Sequence, residues 1–423
     1  MNTTTNLRSN RNYMLLLTAA ILVSPGYYIY IVAVEWLTVT LFDSRSYLGL
    51  ILFSSSGARL LFMIYGGVIA DRVNRKIIIL SSQWMKVLSI GVLLTMYWLD
   101  MITPLFLIIV SFLFGVLDAF AGPAYDSVIT SIIDKKAYQR GNALLRMANQ
   151  YSLIIGPLIS STFIITIGFS GVFLFSLISI IISTTLISFI RIQSHDSSTP
   201  RKSKWRELTS SFEYIRTHRA LPTLMAIGFI MNFFVTGPMG VMLPILAKDI
   251  FKGNAVVLAL LEVSLGVGFI LGSVIVSLRK SFARPGIVIL CSLFLIVIAY
   301  TSLGYVHHLV VSMLVLFTIG VLIQVMNIPL FTYIHSSTPH HMIGKVMSIF
   351  ISIVTGLTPL SYAFVAYLLH AGIGIQLVVR IFGIFLLVIV FGAMTRPALR
   401  QLSYTDSETS KEQEHVQQQT LSN

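Results

Sequence analysis

The chain has 423 residues, of which 56% are hydrophobic and only 11% charged. Soluble domains run at roughly 45–50% apolar and about 25% charged, so a soluble protein of this length could not hide so much apolar surface. The composition points to a polytopic membrane protein. The net charge of +13 is therefore read as a topological signal rather than as a nucleic-acid footprint. The single cysteine, Cys291, excludes an intrachain disulfide and a cysteine-based metal site. Its place in an apolar run suits a small buried side chain.

A membrane-spanning helix needs about 20 apolar residues. Twelve such runs follow in order. The first six are 13–42, 46–70, 77–98, 102–125, 141–166 and 168–190. The second six are 220–247, 254–278, 285–304, 309–334, 343–369 and 372–394. The first run is too long for a signal-peptide core and is read as a retained helix. With the N-terminus placed inside, only Arg45, Lys248 and Lys252 fall outside, and Arg59, Lys86, Arg146 and Arg380 fall within spans. All other Lys and Arg of the 29 fall on the cytoplasmic side. This positive-inside bias requires an even number of spans and puts both termini in the cytoplasm.

The longest polar interruption follows the sixth run. It predicts four parts: an N-terminal six-helix half over 1–190, a basic linker over 191–219, a C-terminal six-helix half over 220–402, and a disordered tail over 403–423. Within the linker, Trp205, Leu208, Phe212 and Ile215 lie at helical spacing behind Arg201, Lys202 and Lys204. That pattern predicts an amphipathic helix on anionic lipid. The halves echo each other, with Pro123, Arg140-Gly141 and Gly156-Pro157 in one, and Pro329, Gly344-Lys345 and Thr358-Pro359 in the other.

Between the second and third runs stands Gly67-Val68-Ile69-Ala70-Asp71-Arg72-Val73-Asn74-Arg75-Lys76. Gly66, Gly67 and Ala70 are small enough for close backbone approach. Asn74 sits at the chain reversal, a place where Asn tolerates a left-handed backbone. The stretch resembles the signature loop of the major facilitator superfamily, Gly-x-x-x-Asp-Arg-x-Gly-Arg-Arg/Lys, with Asn74 in place of the usual Gly. The fifth run carries Ser152-Leu-Ile-Ile-Gly156-Pro157-Leu-Ile-Ser160-Ser161, which is similar to the antiporter motif of the superfamily's exporters. Segments 115–142 and 207–221 look like the macrolide-efflux and enterobactin-exporter branch.

The resemblance implies an all-α integral membrane fold of twelve helices in two six-helix pseudo-repeats. It implies a monomer in a bacterial plasma membrane that exports a small organic molecule, either a drug or macrolide or an anionic siderophore, against an inward flow of protons. An importer and a membrane-embedded enzyme are the lesser alternatives. In that family the residue matching Asp71 holds the inner side closed against the start of the eleventh helix, here Met342–Lys345, with Gly67, Arg72, Arg75 and Lys76 completing the gating motif. Gly156 and Pro157 would carry the antiporter role. No Arg stands in 105–125, where many drug exporters have one. No cofactor and no metal are expected, and no phosphate-binding loop for ATP is present. The cluster His335, His340 and His341 is read as loop residues.

Ionisable groups inside a bilayer are costly and mark pathways or pairs. The candidates are Glu35, Arg59, Asp118, Arg146 and Glu262, with the amides Asn232, Gln324 and Asn327. Asp118 and Arg146 are expected to pair across neighbouring helices. Glu35 and Glu262, as desolvated carboxylates, are suited to proton loading. Arg59 and Arg146 suit a carboxylate-bearing substrate. Lys86 and Arg380, on helices the family places peripherally, are read as structural. Tyr27, Tyr28 and Tyr30 offer rings for stacking. Breaks at Pro25-Gly26 and at Gly237-Pro238 with Pro244 are expected to bend the first and seventh helices and free backbone groups.

Overall fold

In a computed structural model, the described residues are 7, 10–133, 135–191, 212–218, 220–279, 282, 284–339 and 342–394; the side chains of 64, 68, 70–72, 130, 135 and 136 are excluded. Most of the predicted linker helix, the predicted tail, and His340 and His341 lie outside these residues.

The helices begin where the sequence supplies a cap. The side chains of Asn10, Asn74 and Thr103 accept from the N–H groups of Tyr13 (3.1 Å), Lys76 (3.0 Å) and Phe106 (3.2 Å). They start α1 (Arg11–Leu41), α3 (Arg75–Trp98) and α4 (Pro104–Ile132), on either side of α2 (Ser46–Arg72). Asn74 has φ −58°, so it acts as a helix cap and not as the left-handed residue expected. The helical stretch Lys135–Ser188 is broken at Gly168, whose φ of 69° and ψ of −179° suit only glycine. This gives α5 (135–167) and α6 (169–188). Then follow α7 (Leu221–Ile250), α8 (Ala255–Ser277), α9 (Pro285–Leu303), α10 (Leu309–Ser337), α11 (Ile343–His370) and α12 (Ile375–Met394). Among the described residues, eleven helical stretches are long and apolar enough to cross a membrane; the break at Gly168 makes them twelve segments. His335 lies in the last turn of α10 and not in a loop. Cys291 is exposed on α9, not buried.

Contacts gather the chain into two units. The first comprises Met1–Ser197 with Leu243–Val263 and Tyr362–Gly372; the second comprises Ser198–Met242, Ser264–Ser361 and Ile373–Asn423. In the first, α1 runs through two apolar clusters. One joins Ile29 and Leu37 to Ile90, Phe114 and Phe173; the other joins Tyr13 and Leu16 to Ile79, Val128 and Ile187. A belt of polar side chains separates them.

Proline explains part of that belt. Pro25 cannot donate to the carbonyl of Ile21, and the Tyr151 hydroxyl of α5 donates to it instead. Ser179 of α6 donates to Leu22 O at 2.6 Å, and Ser160 of α5 donates to Ile29 O at 3.0 Å. The first helix therefore stays helical through Pro25, and the backbone groups expected to be free are satisfied by neighbours. The proline-rich α7 widens into π-helical turns at Asn232–Thr236, in the second unit, and at Leu246–Ile250, in the first. Ser361 of α11 donates to Phe233 O at 2.5 Å.

Close helix crossings recur in both units. A Cβ on Gly115 of α4 would lie 2.0 Å from Ser55 O of α2; one on Gly268 of α8 would lie 2.2 Å from Phe317 O of α10. At the signature loop, Gly66 presses on α4, with Ala119 O at 2.2 Å from its built Cβ, whereas Gly67 has nothing within 4 Å. Only the first of these two glycines makes the expected close approach.

Gly268→Leu is accordingly expected to lower the melting temperature of the detergent-purified protein by several degrees, since overpacking costs about 1–3 kcal/mol. Gly67→Ala should leave it unchanged. Thermal unfolding followed by tryptophan fluorescence separates the two, and an unshifted Gly268→Leu would contradict the packing.

Candidate functional site

Helix α3 carries a polar stripe, Ser82, Gln83, Lys86 and Ser89, and all four are buried. At helical spacing these residues share one face. Lys86 Nζ meets Asp118 Oδ1 of α4 at 2.5 Å, and the Tyr27 hydroxyl of α1 donates to Asp118 Oδ2 at 2.6 Å. The Lys86 ammonium also lies 5.0 Å from the Tyr27 ring centre and 5.9 Å from that of Phe114. With side chains only 9% and 18% exposed, Lys86 and Asp118 depend on each other for charge compensation. Gln83 Nε2 donates to the Tyr125 hydroxyl at 2.9 Å, and Ser24 Oγ donates to Asn149 Oδ1 at 2.7 Å. Together these bonds form the polar belt around the middle of α1.

The expected Asp118–Arg146 pair does not form. Asp118 is taken by Lys86, and Arg146 is exposed on α5. Its electrostatic neighbour is Asp126, roughly two helical turns beyond Asp118 on α4. Arg59 is exposed on α2 and interacts electrostatically with Asp118, Tyr27 and Tyr28. Tyr30 is buried and stacks on Phe114 with ring centres 4.5 Å apart, so of the three tyrosines it is a packing residue.

Further along α1, Glu35 and Glu262 of α8 lie close enough to interact electrostatically, and Tyr362 of α11 feels the Glu35 carboxylate as well. All three belong to the first unit. Both carboxylates are half-buried, and neither has an ion pair or hydrogen bond among the described residues.

Where α1 ends, Arg45 closes a bidentate pair with Asp249: Nε to Oδ2 at 2.8 Å and Nη2 to Oδ1 at 2.7 Å. Its Nη1 also donates to the carbonyls of Val39 (2.6 Å) and Phe42 (2.8 Å), which satisfies the last turn of α1. One guanidinium thus fixes a helix end and a segment 204 positions away. Lys248 lies 6.0 Å from the Trp36 ring.

At the opposite end of α1, the signature residues Arg75 and Lys76 pin helix ends. Arg75 Nη1 donates to Ser131 Oγ at 2.9 Å, and Lys76 Nζ donates to Ser188 O at 2.6 Å and Ile190 O at 2.9 Å. The Asp71 and Arg72 side chains lie outside the described residues. Gly156 packs against Tyr28 and Ile29, where its built Cβ would fall 2.6 Å from Tyr28 Cβ, so Gly156-Pro157 lies at the α1–α5 crossing. Asn232 donates to Gly228 O at 3.1 Å. Gln324 and Asn327 are half-buried on α10 and have no hydrogen bond among the described residues. Arg380 donates to Gly304 O at 2.7 Å and stacks 4.4 Å from the Tyr305 ring, consistent with the structural reading.

Sequence reading missed Lys86 as the partner of Asp118, Tyr362 beside Glu35, and the Arg45–Asp249 pair. The α3 stripe was a usable signal for Lys86. Tyr362, near Thr358-Pro359, and the Arg45–Asp249 pair carry no local signal.

The chain matches the family described as transmembrane secretion effector over residues 3–423, and so belongs to this branch of the major facilitator superfamily. It is a multi-pass membrane transporter. It is 26% identical over 351 residues to an MFS-type transporter, YkuC, of Bacillus subtilis, covering 80% of each chain. It is 22% identical over 246 residues to macrolide efflux protein A of Streptococcus pyogenes, covering 56% of this chain and 59% of that one. It is 21% identical over 306 residues to the enterobactin exporter EntS of Shigella boydii, covering 70% and 71%. Among solved structures, it shares the fold of the nucleoside transporter NupG at a TM-score of 0.69 and 14% identity, covering 93% of this chain and 100% of that one.

Removing one member of a buried pair strands the other charge at a cost of about 3–5 kcal/mol. Lys86→Met or Asp118→Asn alone is therefore expected to lower the melting temperature sharply, and Lys86→Met with Asp118→Leu should recover most of it. A single variant as stable as the parent would contradict the pairing.

Proposed function

We propose that this protein is a proton-coupled exporter of a small organic molecule, a drug or macrolide or a siderophore, working by alternating access and not as an enzyme. The observation that carries this reading is the Glu35–Glu262 pair. Its two carboxylates come from different helices and have no cation among the described residues. Such a pair gains a proton and loses it again whenever the distance between the helices, or a cationic group beside them, changes. That is the chemistry a proton-driven transporter needs. Tyr362 supplies a hydroxyl on a third helix within the same electrostatic neighbourhood.

Export is favoured over import by the two relatives named for efflux and export, and by Gly156-Pro157 at the α1–α5 crossing. The positive-inside bias supports both termini in the cytoplasm; the protein is read as a plasma-membrane monomer with halves 1–190 and 220–402, joined by the basic linker and followed by the tail 403–423. In this orientation Arg45–Asp249 lies at the outer edge, and its bidentate geometry makes it a latch that must open for release. Asp71 would hold the inner edge through the start of α11, as the signature implies, because a carboxylate is favoured at a helix N-terminus. Gln324, Asn327 and Arg59 offer the substrate polar contacts.

Cells expressing the protein should accumulate less macrolide than vector controls, with the difference abolished by a protonophore while ATP is maintained. Glu35→Gln and Glu262→Gln should each remove the proton-driven part. Efflux that survives the protonophore, or that persists in the double variant, would overturn the coupling. If macrolide levels are unchanged, a deletion strain grown without iron tests the other substrate: a chelator retained inside and missing outside assigns a siderophore. A disulfide between Arg45→Cys and Asp249→Cys should stop transport until it is reduced; transport that continues with the bond closed would rule the latch out.

A further inference from the structure

Where α1 begins, a pocket of about 560 Å³ is lined by Arg11, Lys76 and Arg191, with Asn10, Asn12 and Phe189 at its rim. Among the described residues, no acidic side chain lines it. The pocket lies within the first unit, where the starts of α1 and α3 meet the end of α6.

The rim is held in place. Asn12 bonds both backbone groups of Arg191: its amide donates to Arg191 O at 3.0 Å, and its Oδ1 accepts from Arg191 N at 3.2 Å. Lys76 holds the two carbonyls just before, at Ser188 and Ile190. The backbone that presents Arg191 is therefore tied from two helices. Arg11 and Arg191 are exposed, and neither guanidinium has an acceptor among the described residues. Among the described residues three cations share the pocket with no anion, and their mutual repulsion makes it a receptor for one. The paired donors of an arginine fork match the oxygens of a phosphate.

We propose that this pocket binds the phosphate of an anionic phospholipid from the adjoining leaflet. The shared chemistry is a phosphate group. A lipid is favoured as its source because Phe189, 60% exposed, places an apolar ring beside the cations, and because every element of the pocket is the end of a membrane-spanning helix. An amphiphile meets both conditions at once; a free phosphate meets only the first. The proposal stands on membrane insertion alone, independent of substrate and coupling.

The test uses the full-length protein, purified and titrated with phosphatidylglycerol in phosphatidylcholine nanodiscs, with melting temperature and native mass spectrometry as readouts. Phosphatidylglycerol should raise the melting temperature and remain bound through detergent stripping. Arg11→Gln with Arg191→Gln, leaving Lys76 to hold the rim, should weaken the apparent affinity about thirtyfold, corresponding to about 1 kcal/mol per arginine. A charge-matched control, Arg216→Gln with Arg284→Gln, should keep the parent affinity, which separates a local site from net charge. The site is overturned if the Arg11/Arg191 variant retains phosphatidylglycerol as the parent does, or if the control loses it equally. The lipid assignment is overturned if inorganic phosphate produces the same stabilisation.

Discussion

The ion pair between Lys86 and Asp118 is the contact on which the first unit depends. A bilayer offers no water to the interior of a helix bundle, so a charge placed there must find its opposite within the protein. Lys86 and Asp118 come from different helices, and Tyr27 ties the carboxylate to a third. Three helices are thereby fixed in rotation about their own axes. The apolar clusters on either side supply contact area but little directional information, since lipid tails are as apolar as leucine and small or polar residues at helix interfaces set the register.

The same requirement accounts for the hydroxyls that decorate the proline breaks. Pro25 costs α1 a hydrogen bond, and Tyr151 and Ser179 satisfy the carbonyls around it; Ser361 does the equivalent service for α7. In both α1 and α7, hydroxyls of neighbouring helices supply donors to carbonyls beside the prolines. The repeat seen faintly in sequence is thus a repeat of chemical need. Against this background Glu35 and Glu262 stand out as half-buried ionisable groups with no ion pair among the described residues, and such a pair is where function is to be sought.

Much of the fold was legible because its rules are one-dimensional. Apolar length located the helices, and the boundary placed between the runs 141–166 and 168–190 falls beside the break at Gly168. The charged groups inside the spans were legible as a list, but their pairing was not. Asp118 and Arg146 were expected to meet because both stand on adjacent helices at similar depth. Depth says nothing about which way a side chain faces, and the buried stripe of α3 placed Lys86 there first. The Arg45–Asp249 contact is a matter of tertiary closure across 204 positions, beyond any local pattern. Asn74 was misjudged for a related reason: matched to a family glycine, it was expected to supply a left-handed turn, whereas its side chain caps α3.

The central claim is that Glu35 and Glu262 share a proton that substrate binding displaces. It is tested most directly by adding a macrolide to the detergent-purified protein in weakly buffered solution near neutral pH and recording proton release with an indicator dye. The parent is expected to release protons in proportion to substrate bound, and the Glu35→Gln/Glu262→Gln variant to bind substrate without release. Equal proton release from parent and variant would contradict the account.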